Sequence, residues 1–209
     1  MLKGDTYLPV KRVLDFVFAF ILLIITSPIM ILASVAIKLA DQKGPILFSQ
    51  DRPGKNMEIF KVNKFRTMMV DTERDGRKLT DKERLTKVGL ILRKTSIDEL
   101  PQLLNILKGE MSFIGPRPLL VKYLPYYSEE EIRRHNVLPG ISGWAQVNGR
   151  NAIGWEQKFK LDIEYVENIS LFFDIKIIFL TVYKTFKRSN IEVDSIPDLD
   201  AERKQVAKV

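Results

Sequence analysis

Residues 13–39 read VLDFVFAFILLIITSPIMILASVAIKL, an apolar run that at about 1.5 Å of rise per residue is long enough to cross a bilayer as a helix. Its middle carries Thr26, Ser27 and Pro28. Proline deletes one helical hydrogen bond and its ring collides with the preceding turn, so a sharp bend is expected at Pro28. The hydroxyls of Thr26 and Ser27 can satisfy carbonyls freed there, which makes a bend tolerable in lipid. Lys3, Lys11 and Arg12 precede the run and Lys38 and Lys43 follow it, contrary to the charge asymmetry that orients a simple span. Two topologies remain: a helix-break-helix that enters and leaves on one face, or a proline-kinked spanning helix. A signal peptide is excluded, because the apolar part is too long and no small-x-small cleavage site follows. Asp15, one turn into the run, is expected to be neutralised by Lys11 and Arg12.

The rest of the 209 residues, in a chain 45% hydrophobic, suffice for one core beside this membrane element. Lys and Arg number 33 against 26 Asp and Glu, a formal charge of +7, which suits a phosphate-bearing partner: nucleic acid, anionic lipid headgroups or a nucleotide. The lack of cysteine excludes disulfides, thiolate chemistry and zinc sites of the cysteine type.

After Pro45, the run Ile46-Leu47-Phe48-Ser49-Gln50, the turn residues Pro53-Gly54 and the alternation from Ile59 to Phe65 predict a β-hairpin. Lys61, Lys64 and Arg66 line one end of it, either as a cationic site or as a solvated strand face. Residues 71–87 are charged and read as a loop passing into a basic amphipathic helix with Leu85, Val88 and Leu92 on its apolar side. Such a helix lies in a membrane interface or packs on a core.

That helix leads into Arg93-Lys94-Thr95-Ser96-Ile97-Asp98-Glu99-Leu100-Pro101. Proline is tolerated only in a helix's first turn, so a helix is expected to begin near Asp98 and to end at Lys108-Gly109. Adjacent carboxylates at that point either hold a divalent cation that bridges to phosphate or form a capping box, since Ser96-x-x-Glu99 also fits one. Further on, Pro116 and Pro118 hold Arg117 extended, a rigid presentation suited to bidentate phosphate contact. Ser128 with Glu131 forms a capping box opening a short helix. His135 lies in its basic last turn, where a dipole or solvent role is expected rather than general-base catalysis.

The glycine-rich stretch Pro139-Gly140-Ile141-Ser142-Gly143-Trp144 continues through Gln146, Asn148 and Arg150, and offers amides, a cation and an aromatic face, or simply a structural turn. Residues 155–168 read as a helix in which Asp162 is a solvated edge or a third acid, for a metal or for a cationic loop. Residues 170–188 are apolar nearly all round yet carry Asp174, Lys176 and Lys184, which fits a core or interfacial helix rather than a span. The polar tail, 189–209, is expected to be disordered.

Taken together, Lys11-Arg12, the run broken at Ser27-Pro28, Lys61-x-x-Lys64-Phe65-Arg66-Thr67-Met68, Asp98-Glu99-Leu100-Pro101-Gln102, Gly115-Pro116-Arg117-Pro118-Leu119 and Pro139-Gly140-Ile141-Ser142-Gly143-Trp144 resemble the bacterial sugar transferases, monotopic phosphoglycosyl transferases acting on undecaprenyl phosphate. The match runs from about Tyr7 to Arg188, and the likeness is greatest to members that use N,N'-diacetylbacillosamine in protein N-glycosylation. It implies a helix-dominated α+β fold: a re-entrant broken membrane helix (1–39), an interfacial catalytic domain (40–188) with amphipathic helices and a small β-hairpin around a compact core, and a tail (189–209). It also implies transfer of a sugar 1-phosphate from a UDP-sugar to undecaprenyl phosphate, on the cytoplasmic face of the inner membrane. Asp98 would be the nucleophile and Glu99 would help hold Mg²⁺, with Asp162 a weaker metal candidate. Arg93, Arg117, Arg150, Lys61, Lys64 and Gln146 would contact substrate. The sequence departs from the family at Asn63, where relatives often carry an aromatic residue. Rival readings are a lipid-binding adaptor, in which Asp98 merely caps a helix, and a nucleic-acid binder, which leaves the apolar run and the Arg117 loop without a role.

Overall fold

The computed structural model describes residues 4–74, 76–149, 153–186 and 198–206. Helix α1 spans Gly4–Ala40. Its composition and length match a membrane helix over Thr6–Ala40. The chain stays helical on both sides of Pro28, so the expected interruption into two helices is replaced by one element with a local defect. Proline 28 has no N–H for the Ile24 carbonyl; Ser27 Oγ donates to that carbonyl at 2.8 Å, and Thr26 Oγ1 donates to the Leu22 carbonyl at 2.7 Å. The freed acceptor is satisfied by the neighbouring hydroxyl, as the residue types foretold.

Both ends of α1 are fastened to the same globular body. At the start, the Gly4 N–H donates to the Ile169 carbonyl, and Tyr7 and Lys11 donate to Asp174 at 2.7 and 2.5 Å. Near the end, Ala33 and Ile37 pack with Phe65 and Leu92, and Lys38 donates to the Gly44 carbonyl. Between them Phe20, Ile21, Ile24, Ile25, Ile31 and Leu32 are exposed. Of the two flanking basic residues expected to neutralise Asp15, Lys11 acts on it only through its charge and neither forms an ion pair with it. Lys11 forms its ion pair with Asp174, and Arg12 caps the carbonyls of Ile106 and Leu107 at the end of another helix. Asp15 accepts instead from the Phe113 N–H.

Strands β1 (Leu47–Pro53) and β2 (Ile59–Phe65) form the expected antiparallel hairpin, with Gln50 opposite Val62 and Phe48 opposite Lys64. Asn63 fits by polar pairing: its N–H donates to Asn105 Oδ1, and its own Oδ1 accepts from Ser49. The charged loop is more ordered than anticipated. It holds a two-residue ladder, β3 (Glu73–Arg74) with β4 (Arg77–Lys78), and a capped turn of helix, α2 (Asp81–Arg84). Helix α3 (Lys87–Thr95), N-capped by Thr86, buries Leu92. Its Gly89 lies so close to the Thr67 carbonyl that a Cβ would sit 1.9 Å from it.

Helix α4 (Gln102–Lys108) stops at Gly109, whose φ of 87° requires glycine. Strand β5 (Ser112–Ile114) pairs in parallel with β6 (Gly140–Ser142). Between them lies α5 (Glu129–Ile132), opened by the capping box of Ser128 and Glu131. His135 differs from expectation. It is buried, its Nδ1 is 2.9 Å from the Gly54 carbonyl, and burial with the nearby Arg134 lowers its pKa to about 4, so it ties down the hairpin turn as a neutral ring.

Helices α6 (Trp144–Asn148), α7 (Trp155–Glu167) and α8 (Leu171–Phe186) close the domain. Trp144 is structural: it meets Phe173 edge-on at 5.0 Å with Lys176 over its face. On α8, Asp174 and Ile177 point inward, whereas Phe172, Ile175, Ile178, Phe179 and Val182 form an exposed apolar stripe at helical spacing. The helix is thus buried along one side only. The tail departs from the expected disorder over its described part. Helix α9 (Leu199–Val206) buries Leu199, and Asp198 binds Lys122 and the Tyr123 hydroxyl; residues 189–197 and 207–209 lie outside the described residues.

The Lys11–Asp174 pair, with Tyr7 and Tyr165 also donating to Asp174, is buried. Asp174→Ala leaves the Lys11 ammonium without its partner, a loss of roughly 3–5 kcal/mol for a buried pair broken on one side. The thermal unfolding midpoint of the detergent-solubilised chain should fall by roughly 10 °C. An unchanged midpoint would show that α1 is not held at this point.

Candidate active site

The expected helix start at Asp98 resolves into two pieces. A single 3-10 turn, Ile97–Glu99, precedes Pro101 and α4, and Ser96 sits in the left-handed region at φ 58° with no capping hydrogen bond from its side chain. The capping box suggested by Ser96-x-x-Glu99 is therefore absent. Glu99 is used elsewhere: its Oε1 accepts from Lys64 Nζ at 2.6 Å and Arg117 Nη2 at 3.3 Å. Asp98 stands at neither N-cap, since Ser96 holds that of the 3-10 turn and Pro101 that of α4, so the capping role given to Asp98 in the adaptor reading is absent.

The two carboxylates are electrostatically unequal. Burial would raise Glu99, but Arg117 and then Lys64 bring its pKa down to about 2, so it is firmly ionised. Asp98 moves the other way. Burial raises its pKa, the charge on Glu99 raises it further, and Lys64 and Arg93 only partly offset this. Among the described residues, no other side chain hydrogen-bonds Asp98. An ionised Asp98 is thus a desolvated and only partly compensated anion.

The surroundings are cationic. A cleft of about 1050 Å³ is lined by Arg52, Lys64, Arg66, Arg84, Arg93, Arg117, Lys158 and Lys184 together with Asp98 and Glu99. Some of these cations are committed: Arg66 to Asp41, and Arg134, also on the wall, to Asp162. Arg93 donates to Thr67 Oγ1 at 3.0 Å. Arg52 and Lys64 both lie close enough to Arg117 to feel its charge, and Glu99 joins Lys64 to Arg117. Burial and the neighbouring Arg117 lower the pKa of Lys64, and the same two causes lower Arg52 to about 10, a strain that a bound anion would relieve.

The pattern-based candidates divide accordingly. Lys64, Arg93, Arg117, Asp98, Glu99 and Gln146 all line the cleft. Lys61 does not; it is three residues from Lys64 on a strand whose side chains alternate, so it faces away and is exposed. Arg150 lies outside the described residues. Gln146 donates to the Ile141 carbonyl, so its amide braces the β6–α6 turn. Asp162 is no metal ligand: it receives both Nε and Nη2 of Arg134 at 3.0 and 2.7 Å, and Arg134 Nη2 also donates to the Arg117 carbonyl at 2.7 Å. Of the readings open for Asp162, an acid serving a cationic loop is the one realised. Arg52, Arg134 and Lys158 were missed. Reading the β1 alternation two residues past Gln50 would have found Arg52; the other two face the cleft only through tertiary packing.

The carboxylate pair suits Mg²⁺, which is ordinarily held by one or two carboxylates with substrate phosphate and water completing its shell. Glu99 receives both cations on Oε1, so Oε2 and the Asp98 carboxylate remain as donors. Among the described residues no third acidic or histidine ligand joins them.

Comparison with known proteins agrees with this geometry. Residues 6–188 match the model of the bacterial sugar transferase family. The chain is 52% identical over 182 residues to the uncharacterized sugar transferase EpsL of Bacillus subtilis (strain 168), covering 87% of this chain and 90% of that one. It is 42% identical over 186 residues to the UDP-glucose:undecaprenyl-phosphate glucose-1-phosphate transferase of Escherichia coli (strain K12), and 40% identical over 190 residues to the UDP-N-acetylgalactosamine-undecaprenyl-phosphate N-acetylgalactosaminephosphotransferase of Aeromonas hydrophila. These matches cover 84% and 87% of this chain but 40% and 45% of the two relatives, so it spans less than half the length of either. A family match over nearly the whole described body, with a carboxylate pair in a cationic cleft, leads to one conclusion: the chain belongs to the bacterial sugar transferase family.

Proposed function

We propose that the chain transfers a sugar 1-phosphate from a UDP-sugar to undecaprenyl phosphate, releasing UMP, with Asp98 as nucleophile. The observation that carries this reading is the inequality of the two carboxylates: Glu99 is neutralised by Lys64 and Arg117, and Asp98 is left bare in the same cleft. An Asp98 oxygen attacks the phosphorus that bears the sugar. The bond from that phosphorus to the bridging oxygen breaks, and UMP leaves with the electron pair. An oxygen of the lipid phosphate then attacks the aspartyl phosphosugar, the bond to Asp98 breaks, and the carboxylate is restored. Arg117, Lys64 and Arg93 bind and orient the diphosphate and offset its charge as it is approached by an anion. Mg²⁺, held by Asp98 and Glu99, would add further screening of that charge.

The acceptor is a lipid, and two features support delivery at a membrane surface. Both ends of α1 are fastened to one globular body while its apolar middle is uncovered, which is compatible with entering and leaving a bilayer on one face and difficult to reconcile with a span. The apolar stripe of α8 supplies a second interfacial surface. The reading therefore keeps the re-entrant topology, and with it the cytoplasmic face of the bacterial inner membrane, where UDP-sugars are met. For the sugar, the resemblance favours UDP-N,N'-diacetylbacillosamine, and the relatives' names supply UDP-glucose and UDP-N-acetylgalactosamine as the comparison donors. Nucleic acid has no place in this scheme.

Asp98→Asn should abolish UMP release from the preferred donor by at least about 10³-fold, with folding retained. Mass spectrometry of the unmodified chain trapped with donor alone should find a sugar-phosphate adduct on Asp98; turnover without that adduct would remove the covalent route. Activity should vanish on chelation by EDTA and return with Mg²⁺, and turnover in excess EDTA would exclude the metal role. The acid limb of the rate profile should lie above the ordinary aspartate range, because protonation of Asp98 at falling pH removes the nucleophile and its pKa is raised. Glu99→Gln takes away a neighbouring negative charge, so the acid limb of its residual activity should move to lower pH. A shift to higher pH would contradict the electrostatic assignment.

A further inference from the structure

The alternation of β1 places Phe48, Gln50 and Arg52 on one side of the strand, and all three line the cleft. Their partners across the ladder are Lys64, Val62 and Phe60, so the row begins beside the Lys64–Glu99 pair. Phe48 keeps 51% of its surface exposed, an aromatic face on the cleft wall that the core does not use. Arg52 Nη2 donates to Gln50 Oε1 at 2.7 Å, and Nη1 donates to the Pro118 carbonyl at 3.4 Å.

This contact fixes the Gln50 amide. A guanidinium has donors only, so the atom facing it must be the amide oxygen, and the NH₂ group is turned away from Arg52. No protein acceptor meets that NH₂ among the described residues. The strand therefore offers, in order, a stacking face, a fixed hydrogen-bond donor and a cation next to Arg117. A fixed donor complements a ring carbonyl and repels a ring amino group. Uracil carries a carbonyl at the position where cytosine carries its amino group.

We propose that the Phe48, Gln50 and Arg52 row reads the base of the nucleotide donor, and that Gln50, locked by Arg52, selects uracil over cytosine. The inference rests on the UDP-sugar reading above and names the part of the cleft that recognises the nucleotide. The base stacks on Phe48, the Gln50 NH₂ donates to O4, and the ribose and phosphates, attached at the opposite end of the ring, run back toward Lys64 and Arg117 beside Glu99.

The test is ligand-observed NMR titration of UMP and CMP onto the detergent-solubilised full chain with Mg²⁺, beside a UDP-sugar turnover assay. The unmodified chain should bind UMP at least about tenfold more tightly than CMP, a mismatch of one hydrogen bond plus an unpaired donor. Gln50→Ala should bring the two within about twofold. Arg52→Ala should do the same although Gln50 remains, because the amide is then free to flip; a role confined to phosphate binding would weaken both nucleotides equally and keep the ratio. Gln50→Glu, which presents only acceptors, should favour CMP. Melting curves establish that each variant is folded. Equal binding of UMP and CMP by the unmodified chain, or a ratio that survives both alanine substitutions, overturns the inference while turnover leaves the reaction standing. Failure of the unmodified chain both to bind UMP and to turn over any UDP-sugar overturns the two together.

Discussion

Glu99 holds three separate pieces of the chain against one another. Lys64 comes from the hairpin, Arg117 from the rigid loop after β5, and Glu99 itself from the turn before α4, and one carboxylate oxygen joins them. The consequence falls on its neighbour. Asp98 is burdened by burial and by the adjacent negative charge, and Lys64, already bonded to Glu99, and Arg93 offset this only in part. Sequence adjacency would suggest two interchangeable acids. Their surroundings divide them instead: one carboxylate organises the cations and the other stays without a side-chain hydrogen-bond partner among the described residues.

Arg117 can serve Glu99 only if its loop is fixed, and proline alone does not fix a loop in space. The buried Arg134–Asp162 pair does this from beneath, since Arg134 Nη2 also binds the Arg117 carbonyl. Burying an ion pair carries a desolvation penalty that its Coulomb attraction barely repays, so the pair is better understood as setting position than as adding stability. Gly115 and Gly140 make the same point in backbone terms. A Cβ on Gly140 would lie 2.1 Å from the Gly115 nitrogen, so the two strand ends that launch the loop can approach only without side chains.

What could be read from the sequence follows the range of the interactions. The hairpin, the Ser128 capping box, the Gly109 stop and the hydroxyl repair at Pro28 depend on near neighbours and were all visible in the residue pattern. The fates of Lys11, Arg12 and Asp162 were not, because each found a partner far along the chain: Asp174, the end of α4, and Arg134. For Lys11 and Arg12 the hydrogen-bonding partner is a distant group rather than the nearby Asp15. The candidate site was legible as a set of motifs, but its electrostatic asymmetry was not. Ser96-x-x-Glu99 satisfies the capping pattern, and only tertiary contacts from Lys64 and Arg117 draw Glu99 away from it. Arg52 was hidden for a different reason: a strand's alternation extends through residues that resemble a turn.

The membrane-facing architecture and the polar cleft meet at α8. Its exposed stripe is apolar, yet Asp174 on the opposite side receives Tyr7, Lys11 and Tyr165, and Thr181 and Lys184 line the cleft. One helix thus joins three surfaces: the start of α1, the candidate bilayer contact and the wall of the candidate active site. A carboxylate buried beneath an apolar stripe is unfavourable unless it is fully paired, and here the pairing is supplied by α1 and α7. The position of α1 is therefore coupled to that of α8 by charge and hydrogen bonding rather than by apolar packing alone. Apolar contacts can slide in a lipid environment that is itself apolar, whereas a buried ion pair with two tyrosine hydroxyls has one geometry. The placing of α1 against the wall of the cleft therefore runs through Asp174, which is bonded from both α1 and α7.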